Sequence, residues 1–350
     1  MSKISIKVLP AEDGDCFILS FNKRNILIDG GRSSRNLLRH LEMELQSIKD
    51  KTESIDLLVI THIDDDHIGG VLSIFEMNIH KELIQNVWFN SGRLIDGYFK
   101  EENNVNDERD IPLILTDTQV GIEKGNSLEK ELKKSNIEPK YVINQGATAH
   151  LDGAIFRILS PNQKALAKLN ENWEVEIEEE TNLEINNQKN NDYAQTLQSL
   201  ANQKFKQDTS NVNASSIAFL FEYNCKKVLL LGDSHPSIVK EGLERLGYSS
   251  QNKLYVDVVK ISHHGSRKNT SEQLLELIEC RNFIISTNGG RGVRNLPDKE
   301  SLSRIVTAMS LPVTFHFNYP IYDNIFSEEE LKTHKIKLNS LYESNYILEV

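Results

Sequence analysis

The stretch that most limits what this chain can become is Thr61-His62-Ile63-Asp64-Asp65-Asp66-His67-Ile68-Gly69-Gly70. It follows the mainly apolar run Ile55 to Ile60, which predicts a buried strand that ends where the charges begin. Two histidines and three aspartates fall within six residues. Carboxylates crowded this closely repel one another unless a cation sits among them. Imidazole with carboxylate is a donor set suited to zinc, manganese or iron. A solvated acidic loop would carry the acids, but it has no need of two imidazoles directly behind a buried strand. The Gly69-Gly70 pair lets the backbone turn sharply and predicts a helix over 70–77.

The rest of the chain supplies strands and helices to frame this loop. Strands are expected at 4–8, 16–21, 25–28, 83–90, 141–144, 154–159, 216–222, 227–231, 255–261, 283–287 and 313–317. Leu37, Leu38, Leu41, Leu45 and Ile48 have helical spacing over 34–48, an amphipathic helix covering a sheet. Further helices are expected at 118–135, from Pro236 to a stop at Gly247, after the capping box at Thr270, and from Asp298 to Met309. Residues 99–110 read as an exposed acidic loop. Residues 162–213 stand apart: an acidic run, then an Asn- and Gln-rich stretch poor in apolar residues. They predict an insertion that is a lid, a loosely ordered loop or a surface for a protein partner. The tail at 318–350 reads as a small helix and an edge strand. Strands precede helices in each half, a pattern suited to two sheets packed face to face with helices outside, in one domain spanning 1–350.

Four other short motifs sit just after predicted strands. They are Asp13-Gly14-Asp15, Leu27-Ile28-Asp29-Gly30-Gly31, Leu230-Leu231-Gly232-Asp233 and Ser262-His263-His264-Gly265-Ser266. With these, His-x-Asp-x-Asp-His-x-Gly-Gly resembles the metal motif of the metallo-β-lactamase fold. The variant with Asp for the middle His is that of the soluble domain of the DNA-uptake protein ComEC and its relatives. The motifs occur in family order from about residue 5 to 310.

The resemblance implies an αββα four-layer sandwich and two divalent metal ions, zinc or manganese, about 4 Å apart and sharing an activated hydroxide. It implies that His62 and Asp64 hold the first metal, that Asp66, His67 and His263 hold the second, and that Asp233 bridges them. Asp66 and His264 are then the catalytic candidates, with His264 left for substrate contact or leaving-group protonation. Asp15 and Asp29 would orient ligands from one layer out. Three departures stand out. Asp64 replaces a His. The further His that many members supply has no clear equivalent; His150 lies in the right interval and Ser160 nearer the expected strand end. Leu296-Pro297 stands where ComEC-like proteins often have His before Pro. His40, His80, His235, His316 and His334 lack such company and are not expected to be ligands.

Cations follow the metal residues closely: Arg267 and Lys268, then Arg291 and Arg294 in the Gly-rich stretch Gly289-Gly290-Arg291-Gly292. They predict binding of an anionic substrate, DNA or RNA among the choices. The net charge of −11 argues against a surface that coats nucleic acid generally. The three scattered cysteines form no Cys-x-x-Cys pair and read as buried thiols in a reducing compartment. No apolar run approaches the ~18 residues of a membrane span, and the first residues lack a signal-peptide core. The expectation is a cytoplasmic metallo-hydrolase without a membrane part, a phosphodiesterase or nuclease. The alternatives are a hydrolase of a small phosphodiester, an ester or a lactam, and a catalytically weak interaction module.

Overall fold

Alternation along Ile4–Val8 sends Ile4, Ile6 and Val8 inward and leaves Ser5 and Lys7 half-buried on the opposite face. The same period-two logic builds two sheets. In the computed structural model, which describes residues 3–100, 110–111, 127–179, 191–290 and 295–350, the chain runs as follows. The first sheet takes β1 (Ile4–Val8), β2 (Phe17–Phe21), β3 (Arg24–Ile28), β4 (Leu57–Val59) and β5 (Val87–Trp88). The second takes β6 (Asp110–Ile111), β7 (Thr148–Leu151), β8 (Ala154–Ser160), β9 (Ala218–Tyr223), β10 (Lys226–Leu230), β11 (Leu254–Lys260), β12 (Ile278–Ile285), β13 (Thr314–Phe317) and β14 (Lys337–Ser340). The last strand, β15 (Ile347–Glu349), returns to the first sheet beside β1. The strand orders are β15-β1-β2-β3-β4-β5 and β14-β13-β12-β11-β10-β9-β8-β7-β6.

Three apolar layers separate the four structural ones. Ile26, Ile28, Leu57 and Val59 meet Phe156, Phe219, Phe221 and Val258 between the sheets. Their strand neighbours Leu27 and Leu58 face Leu37, Leu41 and Leu45 of the helix Arg35–Asp50. Val239 and Leu243 of the helix Pro236–Arg245 and Leu302 and Ile305 of the helix Lys299–Ala308 cover the outside of the second sheet. This is the αββα sandwich expected. The parallel strands β3 and β4 end at Ile28 and Val59, just before Asp29 and Thr61, and β10, β11 and β12 end at Leu230, Lys260 and Ile285, just before Gly232, Ile261 and Ser286. Carboxyl ends of parallel strands are where ligands bind in such sheets.

Several expectations need correction. The helix expected over 70–77 is Asp65–Glu76. The amides of His67 and Ile68 bond the Asp64 carbonyl, so the acidic run is the first turn of a helix, where its dipole favours carboxylates. The glycine pair serves close approach: a Cβ on Gly70 would lie 2.0 Å from the Gly30 carbonyl oxygen. Residues 141–144 form no strand; the Asn90 side chain bonds both backbone groups of Ile143. The helix after Ser271 is a single turn, Glu272–Leu275, and β12 starts already at Ile278. The tail adds strands to both sheets, not one.

The polar stretch also departs from expectation. Its first part is the helix Gln163–Glu179. Farther on, Leu197, Leu200 and Ala201 are buried, and Asp192 accepts hydrogen bonds from the amides of Lys299 and Glu300. Residues 191–213 are thus part of the packed body. The stretch 180–190, most of the expected loop at 99–110, the start of the expected helix at 118–135, and Arg291 and Arg294 lie outside the described residues. No helix among the described residues is long and apolar enough to cross a membrane.

Candidate metal centre

All six expected ligands and both expected orienting acids are buried together or at the rim of one cup between the sheets. His67 is held at Nδ1 by Asp29 Oδ2 at 2.8 Å. Asp29 in turn accepts from the Thr61 amide at 2.8 Å and the Thr61 hydroxyl at 2.7 Å. His62 Nδ1 sits 3.0 Å from the Thr61 hydroxyl. His264 donates from Nδ1 to the Ser286 carbonyl at 2.8 Å. Each ring is fixed at Nδ1 and turns Nε2 inward. The Nε2 atoms of His62, His67 and His264, and Asp233 Oδ1, are buried without a hydrogen-bond partner. Native proteins seldom leave such groups unpaired without a reason.

These atoms gather around Asp233. His67 Nε2 lies 3.5 Å from Asp233 Oδ1. His62 Nε2 lies 4.0 Å from Asp233 Oδ2 and 3.3 Å from Asp64 Oδ2. Asp66 Oδ2 stands 3.4 Å from His264 Nε2 and 4.0 Å from His67 Nε2. Ligand atoms about 2.0–2.2 Å from one ion stand roughly 3–4 Å from each other, so these spacings fit a bound cation. The close clusters are His62 with His67 and Asp233, and Asp66 with His67 and His264.

The field at the centre favours positive charge. Burial pushes the Asp233 carboxyl up, but His67, His264 and His263 overcome this and hold it well below the usual carboxylate range. Burial lowers the His264 imidazole, yet Asp233 and Asp15 push it up to about 10. His67 rises likewise against burial through Asp233, Asp29 and Asp66. Carboxylates that hold protons on buried imidazoles would hold a divalent cation in their place. A third close group, Asp15, Asp29 and His67, faces inward from the others. There Lys260 supplies the cation: its ammonium pairs with Asp15 and donates to the Gly232 carbonyl at 2.9 Å.

Two site expectations change. The sequence put His263 on the second metal and left His264 free, but it is His264 that stands with Asp66 and His67. A left-handed backbone at both residues, φ 49° and 53°, turns the two rings from directions a strand end would give. Arg267 bonds Glu300 at 3.3 Å and is partly committed, whereas Lys268 is exposed beside the cup. His150 lies exposed on β7, and Ser160 ends β8 with its hydroxyl buried and unpartnered. Sequence reasoning missed Thr61 and Lys260, which hold Asp29, His62 and Asp15 in place. A lysine closing the strand three residues before the histidine pair was the one available signal.

Fold and cluster define a metallo-β-lactamase fold with a His/Asp centre able to hold divalent ions. Residues 9–129 match the metallo-β-lactamase superfamily. Among solved structures, the chain is similar to the metallo-β-lactamase-fold protein YhfI from Bacillus subtilis, at 10% identity and TM-score 0.44, over 99% of this chain and 100% of that one. It is also similar to a diphosphatase from the PhnP family, at 12% identity and TM-score 0.41, over 100% of this chain and 98% of that one. A third likeness is to CmlA, a diiron β-hydroxylase from Streptomyces venezuelae, at 13% identity and TM-score 0.39, over 100% of this chain and 54% of that one. No curated protein sequence matches. The finer resemblance to the ComEC domain rests on the motifs alone.

Proposed function

We propose that the protein is a metal-dependent hydrolase of phosphodiesters, with nucleic acid as its substrate. The observation that carries the reading is the set of buried, unpartnered imidazole nitrogens aimed at one carboxylate, Asp233. Asp66, His67 and His264 would hold one ion, His62 and Asp64 another, with Asp233 shared. Zinc or manganese there supplies Lewis-acid activation of water and of the phosphoryl group.

The chain's own residues do the rest. Asp29 and Thr61 fix the tautomers of His67 and His62, so that each presents a lone pair on Nε2. Asp64 and Asp66, in and beside the first helical turn, make the donor set richer in oxygen, which suits hard cations such as manganese. Lys268 at the rim offers an ammonium to a phosphate oxygen that the metals do not reach. The test is cleavage of labelled single- and double-stranded DNA and RNA with manganese or zinc, wild type beside Asp233→Ala. Metal-dependent cleavage lost in the variant is the expected result. Faster turnover of neutral esters than of any phosphodiester would overturn the reading.

A further inference from the structure

The polar stretch that composition sets apart runs past the mouth of the cup. Over 203–208 its exposure alternates: Lys204 and Lys206 are exposed, whereas Phe205 and Gln207 are half-buried. Phe205 packs under the Arg304 guanidinium, whose carbon lies 5.4 Å from the ring centre, and Gln207 accepts from the Ser237 amide at 3.3 Å. The run is fixed at both ends. Arg304 is 1% exposed; it donates to the Gln203 carbonyl at 3.4 Å and to the carbonyls of Arg267 and Thr270 at 2.9 and 3.2 Å, and it pairs with Glu300. A buried guanidinium is stable only with its donors and its charge matched, so these bonds lock the start of the run onto the loop that carries Lys268. At the other end the Asp208 amide donates to the Lys268 carbonyl at 3.1 Å. The Asp208 carboxylate accepts from Asn213 at 2.7 Å and from Asn269 at 3.3 Å.

Asp208 marks where this run meets the cup, because its Oδ2 lies 3.5 Å from Nδ1 of His263 at the rim. A chain spans at most about 3.6 Å per residue, so Lys206 and Lys204 are anchored within about 7 and 14 Å of Asp208. With Lys268 they set three exposed ammonium groups along one side of the mouth. None of the three forms an ion pair among the described residues. The chain as a whole carries a net charge of −11, so a polyanion gains nothing from its general surface and depends on a local row of cations. Lysine suits a phosphodiester backbone: a point charge on a flexible stem follows a row of phosphates without demanding one fixed geometry.

We infer that 203–208 is a phosphate-binding track, in which Lys206 and Lys204 continue outward from Lys268 and hold backbone phosphates of a nucleic-acid strand on one side of the bond to be cut. The inference rests on the phosphodiesterase reading above and adds the size of the substrate to it. At about 3.4 Å per phosphate along a strand, a reach of about 14 Å takes in about four nucleotides. The substrate is then a chain of several nucleotides and not a small phosphodiester, and the polar stretch is its arm.

The experiment is a fluorescence-anisotropy titration of manganese-loaded protein with labelled phosphorothioate single strands of about 12 nucleotides, which resist cleavage, at about 50 to 200 mM salt. Each phosphate neutralised on a single strand adds about 0.7 to the salt slope, so losing one such contact weakens binding about 5-fold at about 0.1 M salt. The double variant Lys204→Ala with Lys206→Ala should therefore bind about 25-fold more weakly there, with a slope shallower by about 1.4. Lys204→Glu with Lys206→Glu should bind more weakly still. The difference from wild type should shrink for strands of about two nucleotides, which are too short to reach both lysines. The control Lys51→Ala with Lys226→Ala removes the same charge ahead of β4 and at the start of β10, at the strand ends opposite the cup, and should match wild type. All four side chains are exposed, and thermal unfolding verifies that each variant is folded. A Lys204→Ala, Lys206→Ala variant with wild-type affinity and slope, or a control that loses as much, would overturn the inference while metal-dependent cleavage by wild type keeps the reading. A wild type that neither binds nor cleaves any strand would overturn the reading itself.

Discussion

Replacing Lys260 by methionine removes a cation from the floor of the centre and strands its partner. Lys260 and Asp15 are 1% and 0% exposed. The ammonium pairs with Asp15, bonds the Gly232 carbonyl at 2.9 Å and stands 3.7 Å from Asp233 Oδ1. Burial disfavours charge on both partners. Asp15 and Asp233 outweigh it to raise the lysine, and Lys260 and His264 outweigh it to lower Asp15. Breaking a buried pair from one side costs about 3–5 kcal/mol, since the remaining charge keeps its desolvation penalty and loses its attraction. For a large domain that is a fall in Tm of about 6–10 °C, at roughly 2 °C per kcal/mol. The assay is urea and thermal unfolding in chelator, so that no metal enters the balance. The double variant Lys260→Met with Asp15→Asn should regain at least about 2 kcal/mol over Lys260→Met alone. The Lys260→Met deficit should also shrink toward acid. Without its cation Asp15 has a folded pKa above the unfolded one, so its contribution is favourable at low pH and is lost as pH rises through the folded value. A deficit under about 1 kcal/mol, or no recovery in the double variant, would refute the reasoning.

Three further outcomes are expected. Thr61→Val keeps the shape of the side chain but removes the hydroxyl that links Asp29 and His62; metal affinity by equilibrium dialysis should fall about 10–100-fold with the fold retained. Gly14→Ala would set a Cβ 1.7 Å from the Asp66 carbonyl oxygen, so it should destabilise by about 2–3 kcal/mol in urea unfolding and loosen metal binding; wild-type values would show that the loop yields freely. His316 is neutral and fixed by Asn282 at 3.1 Å and Asn339 at 3.0 Å, and burial holds it down at about 4. With the folded pKa below the unfolded one, its stabilisation is complete above pH about 6.5 and is lost as pH falls toward 4, up to about 3 kcal/mol; His316→Gln should flatten that part of the stability–pH curve.

What the sequence made legible was whatever has a short-range period or a dense motif. The apolar run before Thr61 marks β4, and the candidate ligands His62, Asp64, Asp66, His67 and Asp233 announce themselves by type and spacing at strand ends. What it hid depends on backbone angles or distant partners. Nothing in Ser262-His263-His264 says that both histidines are left-handed, so the ring that joins Asp66 could not be chosen by spacing. Asp208 sits among Asn, Gln and Lys in a stretch whose composition resembles a solvated loop, and its contacts with Asn269 and His263 come from far along the chain. Lys260 reads as the polar end of a strand because Asp15, the residue that neutralises it, belongs to the other sheet. The Gly69-Gly70 pair misled by being read as a bend, when a neighbouring backbone pressed against it is what demands glycine.

The placement of β15 bears on how the molecule is made. Ile347–Glu349 pairs with Ser5–Lys7, so β1 is synthesised long before the strand that covers its outer edge. In the interval β1 and β2 can form a hairpin, but they offer an open row of amides and carbonyls to any other strand, the usual start of misassembly. Pairing so distant in sequence is also slow, because the loop must be closed before the contact repays it. During synthesis the first sheet is therefore exposed to wrong partners longest at its outer edge.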